Sequence, residues 1–239
     1  MSTYDKLDTI NDSLNDIKTA IIGKGVTPTG NITTYATAIA NIPTGGGEFQ
    51  LTRFKDDTNT EIGTYFCNFT DGSGNTYKVI LLDAQYRNDS TQWCSNSSTA
   101  VTNMPLYSNL KSSNVWEAGE TATQNTQLIL DFCTAGGYTS TACSHCRSKS
   151  FTVGGVTYYG QLPNLLEVSY IARNYNSFDA MDTSASSQSS LNFSSALAIW
   201  SSSQYNSGNG WFLSSNNGVT TGYKTINYYF ACPVLEIPL

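Results

Sequence analysis

The sequence predicts an α+β fold, a mixed domain behind a short helical segment, on three observations. Apolar residues recur at helical spacing before residue 43, a glycine run comes next, and beyond it short strand patterns with Gly/Asn turns enclose two helical stretches. These mark residues 1–43 as a helical attachment or oligomerisation segment, 44–48 as a Gly-rich linker and 49–239 as the main domain.

In the first segment Leu7, Ile10, Leu14, Ile17 and Ile21 succeed one another at intervals of 3, 4, 3 and 4, which sets all five on one helical seam. The register puts Leu7, Leu14 and Ile21 at a and Ile10 and Ile17 at d, a pairing that disfavours a parallel dimer and favours three or four strands. The expectation is a homotrimer. The alternative is an intramolecular hairpin, in which Gly23-Lys-Gly25 ends the first helix, Asn31 caps a second, and Ile32, Tyr35, Ala36, Ile39 and Ile42 pack back onto the seam.

Strands are predicted over 50–55, 63–69 and 77–83, where Val79-Ile-Leu-Leu82 is a continuous apolar run suited to a buried strand. Asp71-Gly-Ser-Gly-Asn75 joins the last two as a hairpin turn. A helix is predicted over 122–135, because Thr121 can cap it, Leu128, Ile129, Phe132 and Cys133 share a face, and Gly136-Gly137 lies just past its end. A second starts at Pro163 in its first turn, carries Leu165, Leu166, Val168, Ser169 and Ala172, and breaks at Asn174-Tyr-Asn. A Ser-rich loop over 184–190 leads to short strands and Gly/Asn turns up to the end.

Charged residues make up 13% of the chain, about half the usual share, and the net charge is −6 with only 12 Lys plus Arg. No basic stripe exists for a phosphate backbone, so no nucleic-acid partner is expected. No stretch nears the roughly 20 apolar residues that span a bilayer, and the N-terminus lacks a basic region succeeded by an apolar one. Neither membrane insertion nor secretion is expected. The composition fits a protein made in a cytoplasm and carried outside on a particle.

The six cysteines, Cys67, Cys94, Cys133, Cys143, Cys146 and Cys232, are expected as buried free thiols. Cys143-Ser-His-Cys146 has the spacing of half a zinc site, but no second pair completes it, so neither a metal nor a cofactor is expected. His145 is the sole histidine, it lies beside two cysteines in an expected loop, and no Gly-x-Ser-x-Gly elbow is present. Asp83, Asp89, Glu117, Asp131, Glu167 and Asp179 could supply a carboxylate pair, but sequence gives no separation between them. The chain is not expected to be an enzyme.

Residues 198–232 weave Tyr and Trp with Ser, Asn and Gly. Large rigid contact area is thus set among adaptable hydrogen-bonding groups, as in antibody loops. Alternation assigns Trp200, Leu213 and Phe230 inward. Contact roles go to Tyr205, Asn206, Asn209, Trp211, Ser215, Asn217, Tyr223, Lys224, Asn227 and Tyr229. The competing expectation is that this surface packs against a neighbouring subunit of a purely structural assembly.

Phe151-Thr-Val-Gly-Gly-Val-Thr-Tyr-Tyr-Gly-Gln-Leu-Pro163, the helix Asn164-Leu-Leu-Glu-Val, Ile199-Trp-Ser-Ser-Ser-Gln-Tyr205, the Trp211 strand and Ala231-Cys-Pro-Val-Leu-Glu-Ile occur in an order that resembles a C-type-lectin-fold family. That family includes phage and bacterial surface proteins, among them variable proteins diversified by retroelements. The resemblance covers residues 145–239 well and 50–145 in outline. The N-terminal segment with its Gly-Gly-Gly linker also looks like the attachment region of phage tail-fibre or tail-tip proteins. The two ends together imply a virion protein that binds a host-cell surface receptor and joins other tail proteins through its N-terminal segment. In such variable proteins the changing residues lie on an exposed face between the Trp-Ser-Ser start and the final strand, here 205–229. Calcium-dependent sugar lectins of this fold use Glu-Pro-Asn or Gln-Pro-Asp and a later Trp-Asn-Asp. Leu162-Pro-Asn164 and Trp200-Ser-Ser lack those oxygen ligands, so calcium-mediated sugar binding is not expected. The reactive cysteine pair of the fold's formylglycine-generating oxidases is not recognisable here either.

Overall fold

The chain divides between Glu48 and Phe49, and a computed structural model describes residues 51–108, 120–184, 193, 198–214 and 218–239 of the second unit. The seam, the Gly-rich linker and the Ser-rich loop, apart from Ser184, lie outside the described residues. Those described form an α+β fold. A four-stranded sheet runs in the order β1-β2-β3-β11 from β1 (Thr52–Lys55), β2 (Glu61–Thr70), β3 (Thr76–Leu82) and β11 (Val234–Pro238), so the domain's last strand pairs with its third.

A five-stranded sheet runs in the order β4-β10-β7-β8-β9, with β4 (Asn88–Thr91), β7 (Ala198–Gln204), β8 (Asn209–Ser214), β9 (Gly218–Tyr223) and β10 (Tyr229–Ala231). Only the β10–β7 pairing is parallel among these ladders. β5 (Ser150–Val153) and β6 (Val156–Tyr159) form a separate hairpin. Its turn needs Gly154 and Gly155, whose φ values of 61° and 77° are left-handed and cost glycine nothing. The Asp57 carboxylate accepts both of their N–H groups at 2.8 Å, which holds the hairpin against the end of β1.

Three α-helices are described: α1 (Ala122–Gly136), α2 (Thr141–Arg147) and α3 (Leu165–Met181). α1 is predicted by sequence within one residue. Thr121 and Gln124 close a capping box at its start, and Gly137 ends it at φ 67°. α3 corrects the sequence reading at both ends. Its cap is Asn164, boxed with Glu167, so Pro163 stands before the helix rather than in its first turn. At Asn174 the backbone kinks (φ −136°, ψ 18°), yet the helix continues to Met181, because Phe178 is buried edge-on to Phe66 with ring centroids 5.3 Å apart. α2 replaces the expected loop around His145. Ser140 accepts from Cys143 N, and Ala142, Cys143 and Cys146 face inward.

One core lies around β2, β3, α3 and the closing strands, with Phe66, Phe69, Val168, Ile171 and Phe178 in it. Another gathers Trp93, Ile129, Cys143, Leu162 and Trp200 beneath the five-stranded sheet. All six cysteines are free and buried, as the sequence predicts. Arg87 and Asp182 form a buried ion pair. Asp182 accepts from Arg87 Nη2 at 3.0 Å and from Ala84 N at 2.6 Å, which ties the segment after β3 to the end of α3.

Glu236 of β11 and Glu167 of α3 are buried together. The two Glu236 oxygens accept Ala122 N and Thr123 N, each at 2.8 Å, which places a carboxylate at the N-terminus of α1. Burial and the neighbouring Glu236 push Glu167 well above the usual carboxyl range, so it keeps its proton beside the Glu236 carboxylate.

Candidate binding face

The buried run Trp200-Ser-Ser-Ser-Gln204 is the frame from which the site is built, since all five residues are inaccessible. Trp200 donates its indole N–H to Thr91 O at 3.1 Å, and Trp93 donates to Ser201 O at 2.8 Å. Serine is small enough here for two backbones to meet. Ser202 N donates to Pro163 O at 2.7 Å, and Ser203 Oγ accepts Leu165 N at 3.1 Å, at the first turn of α3. The Leu-Pro and Trp-Ser-Ser motifs are thereby bonded directly to each other, although Leu165 and Ser203 are 38 residues apart in the chain.

Above this frame the connection from β7 to β8 is a tight loop. Asn206 Oδ1 accepts Gly208 N at 2.9 Å and Asn209 N at 2.8 Å, so its side chain shapes the turn. Gly210 lies on the face of Trp93, where an added Cβ would stand 3.1 Å from the ring. Lys224, between β9 and β10, reaches under the loop and donates to Gln204 Oε1 at 2.6 Å and Ser207 O at 2.9 Å. Its backbone N–H donates to Gly208 O at 3.0 Å, and its carbonyl accepts Cys94 N at 3.1 Å. Desolvation lowers the Lys224 ammonium to about 8 from 10.5.

Two contact assignments are therefore corrected. Lys224 has no exposed surface and pins the loops from below, while Trp211 is only 5% exposed and packs against Leu165. Trp211 Nε1 has no hydrogen-bond partner, and Tyr205 stands edge-on to its ring at 5.3 Å. Ser215 and Asn217 lie outside the described residues. Of the others, Tyr205, Asn206 and Asn209 are half-buried, and Tyr223 and Asn227 are exposed. Tyr229 is half-buried between Phe212, at 4.3 Å, and Trp200, at 4.7 Å, and so belongs partly to the core. Trp200 and Leu213 are buried as expected, and Phe230 packs half-buried against the core.

The register pairs Asn209 with Tyr223, which brings the 205–209 loop beside the end of β9. Tyr228, to which the sequence assigns no contact role, completes this region. It is 64% exposed, against 65% for Tyr223, and stands edge-on to Tyr229 at 5.2 Å. No local signal separates Tyr228 from Tyr229, because the irregular residues before β10 decide which of them turns outward. Lys224 is the only charged residue in 198–232, and it points inward, so the outer surface of this stretch offers aromatic rings, hydroxyls and amides without formal charge.

A separate cleft of about 660 Å³ lies over α1, lined by Asn103, Pro105, Glu120, Gln124, Leu128 and Arg147 among others, and none of the ten assigned residues reaches it. His145 Nε2 bonds to Tyr86 O at 2.8 Å, and burial lowers its pKa. Among the described residues no cluster of His, Cys, Asp or Glu is placed to hold a metal ion. No helix among them is long and apolar enough to cross a membrane. No family model matches the sequence, and no curated protein or solved structure matches the chain.

Proposed function

We propose that this chain is a receptor-binding protein of a phage tail, carried in the virion, whose C-type-lectin-like domain displays a diversifiable face to the host cell. The observation that carries the reading is the division of labour within 198–232. Every residue of the Trp-Ser-Ser-Ser-Gln run and the one lysine are buried scaffold, while Tyr223 at the end of β9 and Thr225, Asn227 and Tyr228 in the segment after it are turned outward, pinned from below. A rigid frame under polar and aromatic loops allows the outer residues to change without repacking the core. Pairing of the last strand with β3, two long helices in the chain between β4 and β7, and the direct Ser203–Leu165 bond support the lectin-like assignment.

The uncharged outer surface suits recognition by stacking and hydrogen bonding of a protein or glycan receptor. In this reading the protein performs no catalysis and takes no cofactor, and residues 1–43 trimerise and join it to other tail proteins. Purified protein carrying Tyr223→Ala and Tyr228→Ala should lose most of its attachment to host cells, while Gln127→Ala, at the α1 cleft, should attach as wild type does. Unchanged attachment of the tyrosine variant would move the site elsewhere and favour a structural role for this surface. Light scattering should give a trimer for the full chain and a monomer after deletion of residues 1–43. A near-repeat of the 3′ coding sequence beside a reverse-transcriptase gene would establish retroelement diversification.

A further inference from the structure

We propose that Cys94 and Cys133 are a dithiol that closes to a disulfide when the protein meets a peroxide. Their sulfurs are 3.5 Å apart, and a disulfide needs about 2.05 Å, so closure asks for an approach of about 1.5 Å. The chain around them is already held together. Ser95 N donates to Thr139 O at 2.8 Å, Thr139 N donates back to Ser95 Oγ at 2.9 Å, and Ala142 N donates to Gln92 O at 3.1 Å. Side-chain rotation near the end of α1 can therefore bring the sulfurs into contact without separating β4 from the segment after the helix.

The two thiols are chemically unequal. The hydrogen bond between the two sulfurs lowers Cys94 to about 7 and raises Cys133; Asn96 N–H, at 3.4 Å from the Cys94 sulfur, adds to the lowering of Cys94, and the Lys224 ammonium favours the thiolate of both. Burial acts in the opposite direction on the others. Cys143 and Cys232 are pushed up to about 12, and Cys67 and Cys146 also well above the ordinary thiol value. Cys94 is thus the attacking thiolate, and Cys133 resolves it. The Cys94 sulfur attacks one peroxide oxygen, the O–O bond breaks, and the departing hydroxide takes up a proton as water. The Cys133 thiol then loses its proton and attacks the Cys94 sulfur, and the S–O bond breaks to release a second water. The two thiols give up two electrons, and the peroxide takes both.

If the protein is carried out of the cell on a particle as proposed above, such a closure would let a chain folded in a reducing cytoplasm lock the end of α1, after release, to the segment following β4, where Cys94 N bonds to Lys224 O beneath the binding face. The test is to reduce the full chain, remove the reductant, add hydrogen peroxide, alkylate the remaining thiols under denaturing conditions and map peptides by mass spectrometry without reduction. Four of the six cysteines should be alkylated, with the Cys94 peptide joined to the Cys133 peptide and released by dithiothreitol. Cys143→Ser should close as wild type does, whereas Cys133→Ser should leave Cys94 as a sulfur oxyacid. Six alkylated cysteines after treatment, or a Cys94 link to any other cysteine, would overturn the proposal, and wild-type mapping decides it even where a variant fails to fold.

Discussion

Replacing Glu236 by Gln should cost about 2 kcal/mol of folding stability, whereas replacing Glu167 by Gln should cost under about 0.5 kcal/mol. Glu236 uses both oxygens on the first turn of α1, at 2.8 Å from Ala122 N and from Thr123 N. An amide has one acceptor oxygen, so one backbone N–H would face an NH₂ group instead. A buried donor left unpaired costs about 1–3 kcal/mol, and loss of negative charge at a helix N-terminus adds about 0.5 kcal/mol. Relief from burying that charge beside Glu167 offsets part of this. In Glu167→Gln, by contrast, the amide reproduces the protonated acid. Its oxygen can accept Asn164 N, which Glu167 Oε2 now does at 2.8 Å, and its NH₂ can donate to Glu236.

Burial lifts both carboxyls above their ordinary 4.5, and the neighbouring Glu236 lifts Glu167 further, so the folded chain binds these protons more tightly than the unfolded one. Their contribution to stability is complete below about pH 4.5 and falls as pH rises through the folded values. Glu167→Gln removes the larger part of that fall, so the variant should gain on wild type as pH increases. Urea unfolding of both single variants and the double variant at about pH 5 and about pH 8 measures each quantity. Equal losses for the two single variants, or a pH dependence unchanged in Glu167→Gln, would refute a protonated Glu167 beside an ionised Glu236.

Asp182→Ala removes one buried partner of the Arg87 guanidinium and the acceptor of Ala84 N, and should lower stability by about 2–3 kcal/mol in denaturant unfolding. Gly63→Ala should cost about 3 kcal/mol or block folding, because its Cβ would stand 2.3 Å from Leu81 O, a backbone atom of the paired strand that cannot move aside. Attachment to host cells should change less than about threefold between low and high salt, since the outer surface of 198–232 carries no formal charge; a steep decline measured with labelled protein would contradict an uncharged contact.

Where local chemistry decides, the chain can be read directly. Thr121 and Gln124 bond each other's backbone N–H groups across a single turn, so the start of α1 is written in four consecutive residues. Asp71-Gly-Ser-Gly-Asn75 likewise carries its own turn bonds, with Asp71 Oδ1 accepting Ser73 N and Asn75 N. Competing local signals are harder. Pro163 and Asn164 both announce a helix start, and the asparagine takes the cap because its side chain satisfies Glu167 N while Pro163 O is engaged by Ser202 N. At Asn174 the break signal is real, since the backbone kinks there, but burial of Phe178 against Phe66 restores the helix beyond it. The Val153-Gly-Gly-Val156 hairpin had a readable turn signal in its glycine pair.

Placement within the face depends on contacts between distant residues. Nothing near Lys224 tells that Gln204 and Ser207, 20 and 17 residues away, converge on its ammonium and draw it inside. Trp211 obeys the same rule, as its burial requires Leu165 of α3. Composition identified the stretch, and the fold divided it into scaffold and surface.

The most direct test of that division is competition for adsorption. Host cells incubated with saturating purified wild-type chain should no longer adsorb the phage, while the same amount of the Tyr223→Ala, Tyr228→Ala variant, folded by circular dichroism, should leave adsorption nearly unaffected. Equal blocking by the variant would contradict the assignment of the face, and adsorption undisturbed by the wild-type chain would contradict a receptor-binding role altogether.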